Sequence, residues 1–188
     1  MARVEAYYQR LFDLPVENRL GSYFSTINEE AEIDYYDLVN AGTGVNKGIE
    51  LSLQRFFAKG HYFLANISLY ESTYKTLDVV ERNTRFNGNY AFNFAGGKEW
   101  TGLGKKDNKT FGINARFQFS GGQRIIPLLR DGAGNLAVDP ANGQFWDYER
   151  AFESNLQDIS QLTFSVSYKI ERKRVTHELF LTLENVLN

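Results

Sequence analysis

Val45-Asn46-Lys47-Gly48-Ile49-Glu50-Leu51-Ser52-Leu53-Gln54-Arg55-Phe56-Phe57 decides the fold. Val45, Ile49, Leu51, Leu53 and Phe57 fall on one parity, and Asn46, Gly48, Glu50, Ser52 and Gln54 on the other. A side-chain period of two is the signature of a β-strand with one apolar and one polar face. A helix would repeat its apolar residues at three and four, and this segment does not.

The same alternation recurs along the chain. It appears in Phe63 to Ser72, Lys109 to Ser120, Gln161 to Glu171 and Val175 to Glu184. Shorter versions run from Arg3 to Gln9 and from Asn89 to Phe94. With Val45 to Phe57 this makes seven strands, and the expected class is all-β, an antiparallel up-and-down meander. The connectors alternate in length. Ala58-Lys59-Gly60, Gly104-Lys105-Lys106-Asp107-Asn108 and Arg172-Lys173-Arg174 are short, with Gly, Asn and Asp supplying turn conformations in the first two. Leu11 to Gly44, Tyr74 to Gly88 and Gly121 to Ser160 are long, and Pro15, Pro127 and Pro140 all fall within them. A proline cannot donate to a central ladder, so this placement suits the strand assignment. Long loops at one end and tight turns at the other describe the wall of a transmembrane β-barrel, with the long loops extracellular and the turns periplasmic.

Lys47 and Arg55 share the parity of the apolar face and bracket Ile49, Leu51 and Leu53. The eight steps between them span about 26 Å at ~3.3 Å each. Tilted by about 40°, that is roughly 20 Å along the membrane normal, near the ~25 Å apolar band. Both cations therefore sit near an interface, where each costs about 0–1 kcal/mol instead of about 2–4 at the midplane. Their long stems reach outward to water.

Composition narrows the function class. The 188 residues carry a formal net charge of −2 and no cysteine. The small charge argues against a nucleic-acid partner bound through phosphates. Without cysteine there is no disulfide framework and no thiolate metal site. No apolar run is long enough for a membrane-spanning helix, but barrel strands give only a weak hydropathy signal. Nothing at Met1 reads as a signal peptide. The odd strand count and two open sheet edges point to part of a larger barrel, lacking one closing strand and an unknown number of earlier ones.

Four stretches carry a resemblance to a family. Leu38-Val39-Asn40-Ala41-Gly42-Thr43-Gly44 running on through Leu53 is the first, and Arg82-Asn83-Thr84-Arg85-Phe86-Asn87-Gly88-Asn89-Tyr90 with Gly97-Lys98-Glu99-Trp100 is the second. Gly121-Gly122-Gln123-Arg124 followed by Pro127, and the terminal Leu183-Glu184-Asn185-Val186-Leu187-Asn188, are the others. In this order they resemble TonB-dependent outer-membrane receptors of the Bacteroidetes type. The resemblance implies that residues 1–188 are a C-terminal portion of a barrel of about 22 strands, roughly strands 15 to 21. It implies a Gram-negative outer membrane, surrounding lipid, a plug domain and a TonB complex as partners, and import of a scarce siderophore, cobalamin, glycan or peptide. The plug and the TonB-contacting segment lie outside this sequence.

Two groups of residues are candidates for function. Glu50, Asn66, Asn114, Arg116, Gln118 and Glu178 lie on the polar parity and line the lumen in the barrel reading. The plain alternative is the wet side of a wall. Arg82, Arg85 and Arg124 lie where strands meet long loops, and a guanidinium fork suits an anionic ligand. The alternative is ion pairing with Asp78, Glu81 or Asp131. Tyr7, Tyr8, Tyr23, Tyr35, Tyr36, Tyr70, Trp100 and Trp146 are candidates for interfacial girdle or loop packing, or for a stacking surface.

No enzyme, cofactor or metal is expected. His61 and His177 lie beside short turns without a serine–acid partner or metal-ligand spacing. Glu29-Glu30 has no partner motif, Gly42-x-Gly44 opens no helix, and Asn66-Ile67-Ser68 is a glycosylation pattern inside a strand. Two other function classes fit the alternation. One is a passive porin or adhesin, which would lack a plug. The other is a soluble lipocalin-like barrel holding a small ligand in an apolar interior, since alternation alone does not say which face is inside.

Overall fold

The computed structural model describes residues 1–29, 37–140 and 143–187. Ten strands occur among them: β1 Ala2–Glu17, β2 Leu38–Ala58, β3 His61–Lys75, β4 Glu81–Asn83, β5 Tyr90–Leu103, β6 Lys109–Ser120, β7 Arg124–Ile125, β8 Ser154–Asn155, β9 Ile159–Glu171 and β10 Thr176–Leu183. Seven long ones form an antiparallel meander in the order β1-β2-β3-β5-β6-β9-β10, each beside its predecessor in the chain apart from the short loop strands. The short β4 adds to the top of β3, and β7 pairs with β8 in the last long loop. The sheet is open, and β1 and β10 are its edges.

Each of the seven anticipated strands is present, and several are longer than the alternation shows. β1 runs on to Glu17 through an irregular stretch with Asp13 at φ 56° and register shifts around Leu14. Those shifts erase the period of two. Pro15 is accordingly not in a connector. It lies in edge strand β1 opposite Asn40, at a shift, which is where a strand tolerates proline. β2 begins at Leu38, and its first turns are masked by small residues. A Cβ at Gly42 would lie 2.5 Å from Val16 Cγ1, so the bare backbone makes room for a fully buried valine. β5 extends to Leu103 through Gly96 and Gly97. A Cβ at Gly97 would lie 2.1 Å from Asn114 Oδ1, so that glycine leaves space for the Tyr62 hydroxyl to donate to Asn114 at 2.9 Å.

Directly paired residues point to the same side of a sheet. One row runs Val4, Leu51, Ile67, Phe92, Phe119 across five strands, and another runs Phe63, Gly96, Ala115, Phe164, Leu183. The intervening rows are polar: Arg3, Ser52, Asn66, Asn93, Gln118 and Gln161 share one. One face is thus apolar across the sheet apart from charged residues toward its ends, such as Lys47, Arg55, Glu71, Lys98 and Lys109, and the other is largely hydrophilic, with Leu11, Leu64, Ile159 and Phe180 as apolar exceptions. Among the described residues nothing covers the apolar face: Val4 is 70% exposed, Ile49 59% and Leu179 72%.

The sheet is staggered. Leu69 is level with Ile49 and Tyr90, where β5 begins, yet β3 continues to Lys75 and β2 reaches back to Leu38. At the opposite end Ala58 is level with His61, Lys98, Ile113 and Val166, where β2 stops but β5 and β9 run on to Leu103 and Glu171. Both ends step in the same sense, the offset that inclined strands of a barrel wall have.

The register is open to direct test in a chain without cysteine. Ser52→Cys with Asn66→Cys should be joined by a short thiol cross-linker, because the two positions are paired. Leu53→Cys with Asn66→Cys should stay unjoined, since these point to opposite faces. The reverse result would mean a slip of one residue.

Candidate functional site

Apart from Gly96, Gly112 and Ser165 on the sheet, the buried groups among the described residues lie mainly in a cap at the long-loop end, not between layers. Val16, Phe24, Tyr74, Ala151 and Phe152 are its buried apolar residues. Leu14, Tyr23, Ile27 and Ile126 pack against the cluster of Tyr74, Ala151 and Phe152. Tyr74 and Val16 project from strand ends, so the three long loops fold onto the sheet and onto each other there. Burying an aromatic side chain of this kind stabilises by about 1.5–3 kcal/mol.

Hydrogen bonds join the loops in pairs. The Tyr74 hydroxyl donates to the Tyr23 carbonyl at 2.6 Å and Thr76 Oγ1 to the Ser22 carbonyl at 2.7 Å. The Arg85 backbone N–H donates to Asn28 Oδ1 at 2.8 Å. These tie the first long loop to the second. Asn87 Oδ1 accepts from the Ser72 N–H, and Thr84 Oγ1 donates to Ser72 Oγ, so the second loop is sewn to the polar face of β3.

The three candidate arginines separate into different roles. Arg82 grips Asp78 with two guanidinium bonds of 2.9 and 2.6 Å, and its side chain is only 8% exposed. It acts as a loop clasp. That contact, chiefly the Arg82 hydrogen bonds, lowers the Asp78 carboxyl from 3.8 to about 2. Arg124 donates from Nε to the Asn87 carbonyl at 2.9 Å and from Nη2 to Asn89 Oδ1 at 2.9 Å. Its Nη1 donates to the carbonyls of Phe152 and Glu153. All these acceptors are neutral, and burial pushes its guanidinium down. Arg124 therefore holds the second and third loops together without an ion pair among the described residues. The Arg85 side chain makes no ion pair or hydrogen bond among them either. Of the suggested carboxylates, Asp78 takes Arg82, Glu81 pairs with Lys75, and Asp131 closes its own turn onto the N–H groups of Ala133 and Asn135.

Arg85 and Arg124 meet at a cavity of about 500 Å³ lined also by Tyr23, Asn28, Trp146 and Tyr148, with exposed Glu29 among its lining residues. Tyr23 and Tyr148 are stacked, with ring centroids 5.0 Å apart and planes 6° apart. Arg82 is not among the lining residues. Alternation could not reveal this cavity, because Asn28, Tyr148 and Phe152 lie in irregular loops whose meeting depends on the fold.

Glu50, Asn66, Asn114, Arg116, Gln118 and Glu178 all share the polar face by register. They form a cross-strand polar ladder and do not converge on one point. Ser68 Oγ donates to Glu50 at 3.3 Å, and Gln118 Nε2 to Asn93 Oδ1 at 3.1 Å. The aromatic candidates also divide. Tyr8 and Trp100 stand on the apolar face, as a girdle requires, with Trp100 stacked on Phe111. Tyr7 and Tyr70 are level with Gly48 on the polar face, so they are not girdle residues. Tyr23 and Trp146 belong to the cavity, and Tyr35 and Tyr36 lie outside the described residues. Lys47 is on the apolar face and pairs with Glu71 at 3.0 Å. Among the described residues no cluster of histidine and carboxylates has the makings of a metal site, and no helix is long and apolar enough to cross a membrane.

The Asp78–Arg82 clasp has a pH signature. The folded carboxyl lies below its ordinary value, so its contribution is complete above about 3.8 and is lost as pH falls through about 2. Asp78→Asn should loosen residues 76–89 by about 1–3 kcal/mol at neutral pH. Hydrogen exchange at Thr84 and Asn87 should accelerate in that variant, and the difference from the parent should vanish in strong acid. Comparison with known protein families, with curated proteins and with solved structures finds no match for this chain.

Proposed function

We propose that this chain is a stretch of barrel wall and surface loops of a Gram-negative outer-membrane receptor that imports a scarce nutrient in a cycle energised through TonB. The observation that carries the membrane part is the two-faced sheet. Seven strands place their apolar side chains on one uncovered face and their hydrophilic side chains on the other. In water an apolar face of that extent would demand a second layer. In a bilayer the lipid chains cover it.

The cap supports the same orientation. Its anchors, Ser72 and Tyr74, sit on the polar face, so the loops close over the hydrophilic side. A lipocalin-like barrel would hold its ligand against the apolar face, away from this cap. Lys47 and Glu71 pair on the apolar face at the loop-side boundary of Ile49, Leu51, Ile67 and Leu69, where an ion pair can reach water. The step from barrel to energised receptor rests on the four sequence stretches that resemble TonB-dependent receptors. On that reading the partners are outer-membrane lipid, a plug domain and the TonB complex.

Two measurements test the proposal. Leu51→Arg puts a charge midway along the apolar face and should cost about 2–4 kcal/mol, lowering the amount assembled in the outer-membrane fraction. Ser52→Arg, one residue along and on the opposite face, should assemble like the parent. Equal tolerance of both, or recovery of the protein as a soluble monomer without detergent, would sink the membrane assignment. Uptake of the nutrient should cease in cells without TonB; undiminished uptake would favour a passive pore.

A further inference from the structure

We propose that the cavity beneath the long loops binds a ring-bearing organic anion, with Arg85 supplying the charge and the Tyr23–Tyr148 and Trp146 surfaces supplying the stacking. The polar groups that line it are mostly donors. Arg85 and Arg124 bring two guanidinium groups to one cavity, and neither forms an ion pair among the described residues. Arg124 is occupied by neutral acceptors, so its charge is uncompensated by its own bonds.

Asn28 adds an independent observation. It is 2% exposed, lines the cavity, and uses Oδ1 to accept the Arg85 N–H. Among the described residues its Nδ2 has no hydrogen-bond partner. The Tyr74 hydroxyl, which donates to the Tyr23 carbonyl, lies close enough to that amide to feel it, at a geometry short of a hydrogen bond. A buried donor left without an acceptor is destabilising, so a bound acceptor there is favoured. Two cations and a donor-only amide select an acceptor-rich anion, and a carboxylate satisfies an arginine fork with two parallel bonds. Glu29, which is exposed, is the single carboxylate among the described lining residues, against two guanidinium groups.

The walls set the rest of the ligand. Tyr23, Tyr148, Trp146, Phe152, Ile125 and Ile126 are aromatic or aliphatic, and the cavity of about 500 Å³ is within the range of small-molecule sites. A bare inorganic anion would leave these surfaces unused. A flat aromatic ring or the apolar face of a sugar would use them. The shared chemistry is therefore a carboxylate joined to a ring.

The inference deepens the receptor reading, which supplies the direction from which ligand arrives. Its test needs no membrane transport. The full-length protein, purified in detergent, is titrated with benzoate, digalacturonate, their neutral counterparts benzyl alcohol and digalactose, and inorganic sulfate, with binding followed by ligand-observed NMR. We expect one of the two organic anions to bind at least tenfold more tightly than its neutral counterpart and than sulfate; which one decides between an aromatic and a sugar ligand. Arg85→Gln should weaken it at least tenfold, and because the Arg85 side chain bonds to no other described residue, the loop hydrogen-exchange pattern should not change. Trp146→Ala should weaken the organic anion without altering sulfate. Binding of neither organic anion, equal binding of a neutral counterpart, sulfate binding as tightly, or an Arg85→Gln variant indistinguishable from the parent would overturn the proposal. Failure here leaves the outer-membrane fractionation result standing, and failure of fractionation leaves this measured affinity standing.

Discussion

Everything in this molecule follows from one constraint, the in-phase pairing of seven antiparallel strands. Because side chains alternate with a period of two, a single-residue slip between any two neighbours would move one strand's apolar set to the opposite face. No such slip occurs between the central rows. The pairing from Val4 through Leu51, Ile67, Phe92 and Phe119 keeps one side apolar, and the pairing from Arg3 through Ser52, Asn66, Asn93 and Gln118 keeps the other hydrophilic. Where shifts do occur, as at Leu14 and after Arg55, they lie at strand ends. The faces are then free to terminate without mixing.

That arrangement inverts the usual logic of a folded domain. The apolar sheet face is exposed, and the tightly packed interior is a small loop cluster around Tyr74 and Phe152. Loops normally lie on a surface because their backbone groups need water. Here side chains replace that water. Asn28, Asn83, Asn87, Asn89 and Arg124 bond to backbone groups of neighbouring segments or to each other; Asn28 and Asn87 are buried and the other three half-buried. The polar cap thus holds its shape through bonds between distant segments. It defines a cavity with fixed donors, which is the prerequisite for selective recognition.

The division of labour among the arginines follows from the same economy of partners. Arg82 has a carboxylate four residues earlier in the chain, so it forms a local clasp that lowers the Asp78 carboxyl. Arg124 is surrounded by carbonyls from both loops and becomes a pin. Arg85 has its backbone engaged by Asn28, lines the cavity, and bonds through its side chain to no other described residue. Three residues of one type, all at strand–loop junctions, therefore differ by the acceptors the fold brings to each.

The sequence by itself determined the strands, their order and the side each residue faces. Those properties depend on local periodicity and on short turns such as Lys59-Gly60, where both residues adopt positive φ, and both causes lie within a few residues. It also placed Lys47 and Arg55 correctly on the apolar parity, and suggested the Asp78 partner of Arg82 from proximity alone. Only the tertiary structure decided the rest. The full lengths of β1, β2 and β5 were hidden because a bulge at Asp13 to Pro15 and glycines at 42, 96 and 97 break the alternation, and their value lies in what a distant segment inserts beside them. Tyr7 and Tyr70, girdle candidates by residue type, flank Gly48 on the polar side, a cross-strand arrangement that no single strand shows. The cavity joining Tyr23, Asn28, Arg85, Arg124 and Trp146 spans more than a hundred positions of chain, and no local pattern encodes it. Periodicity reports which face a residue occupies; only long-range contact reports what it meets there.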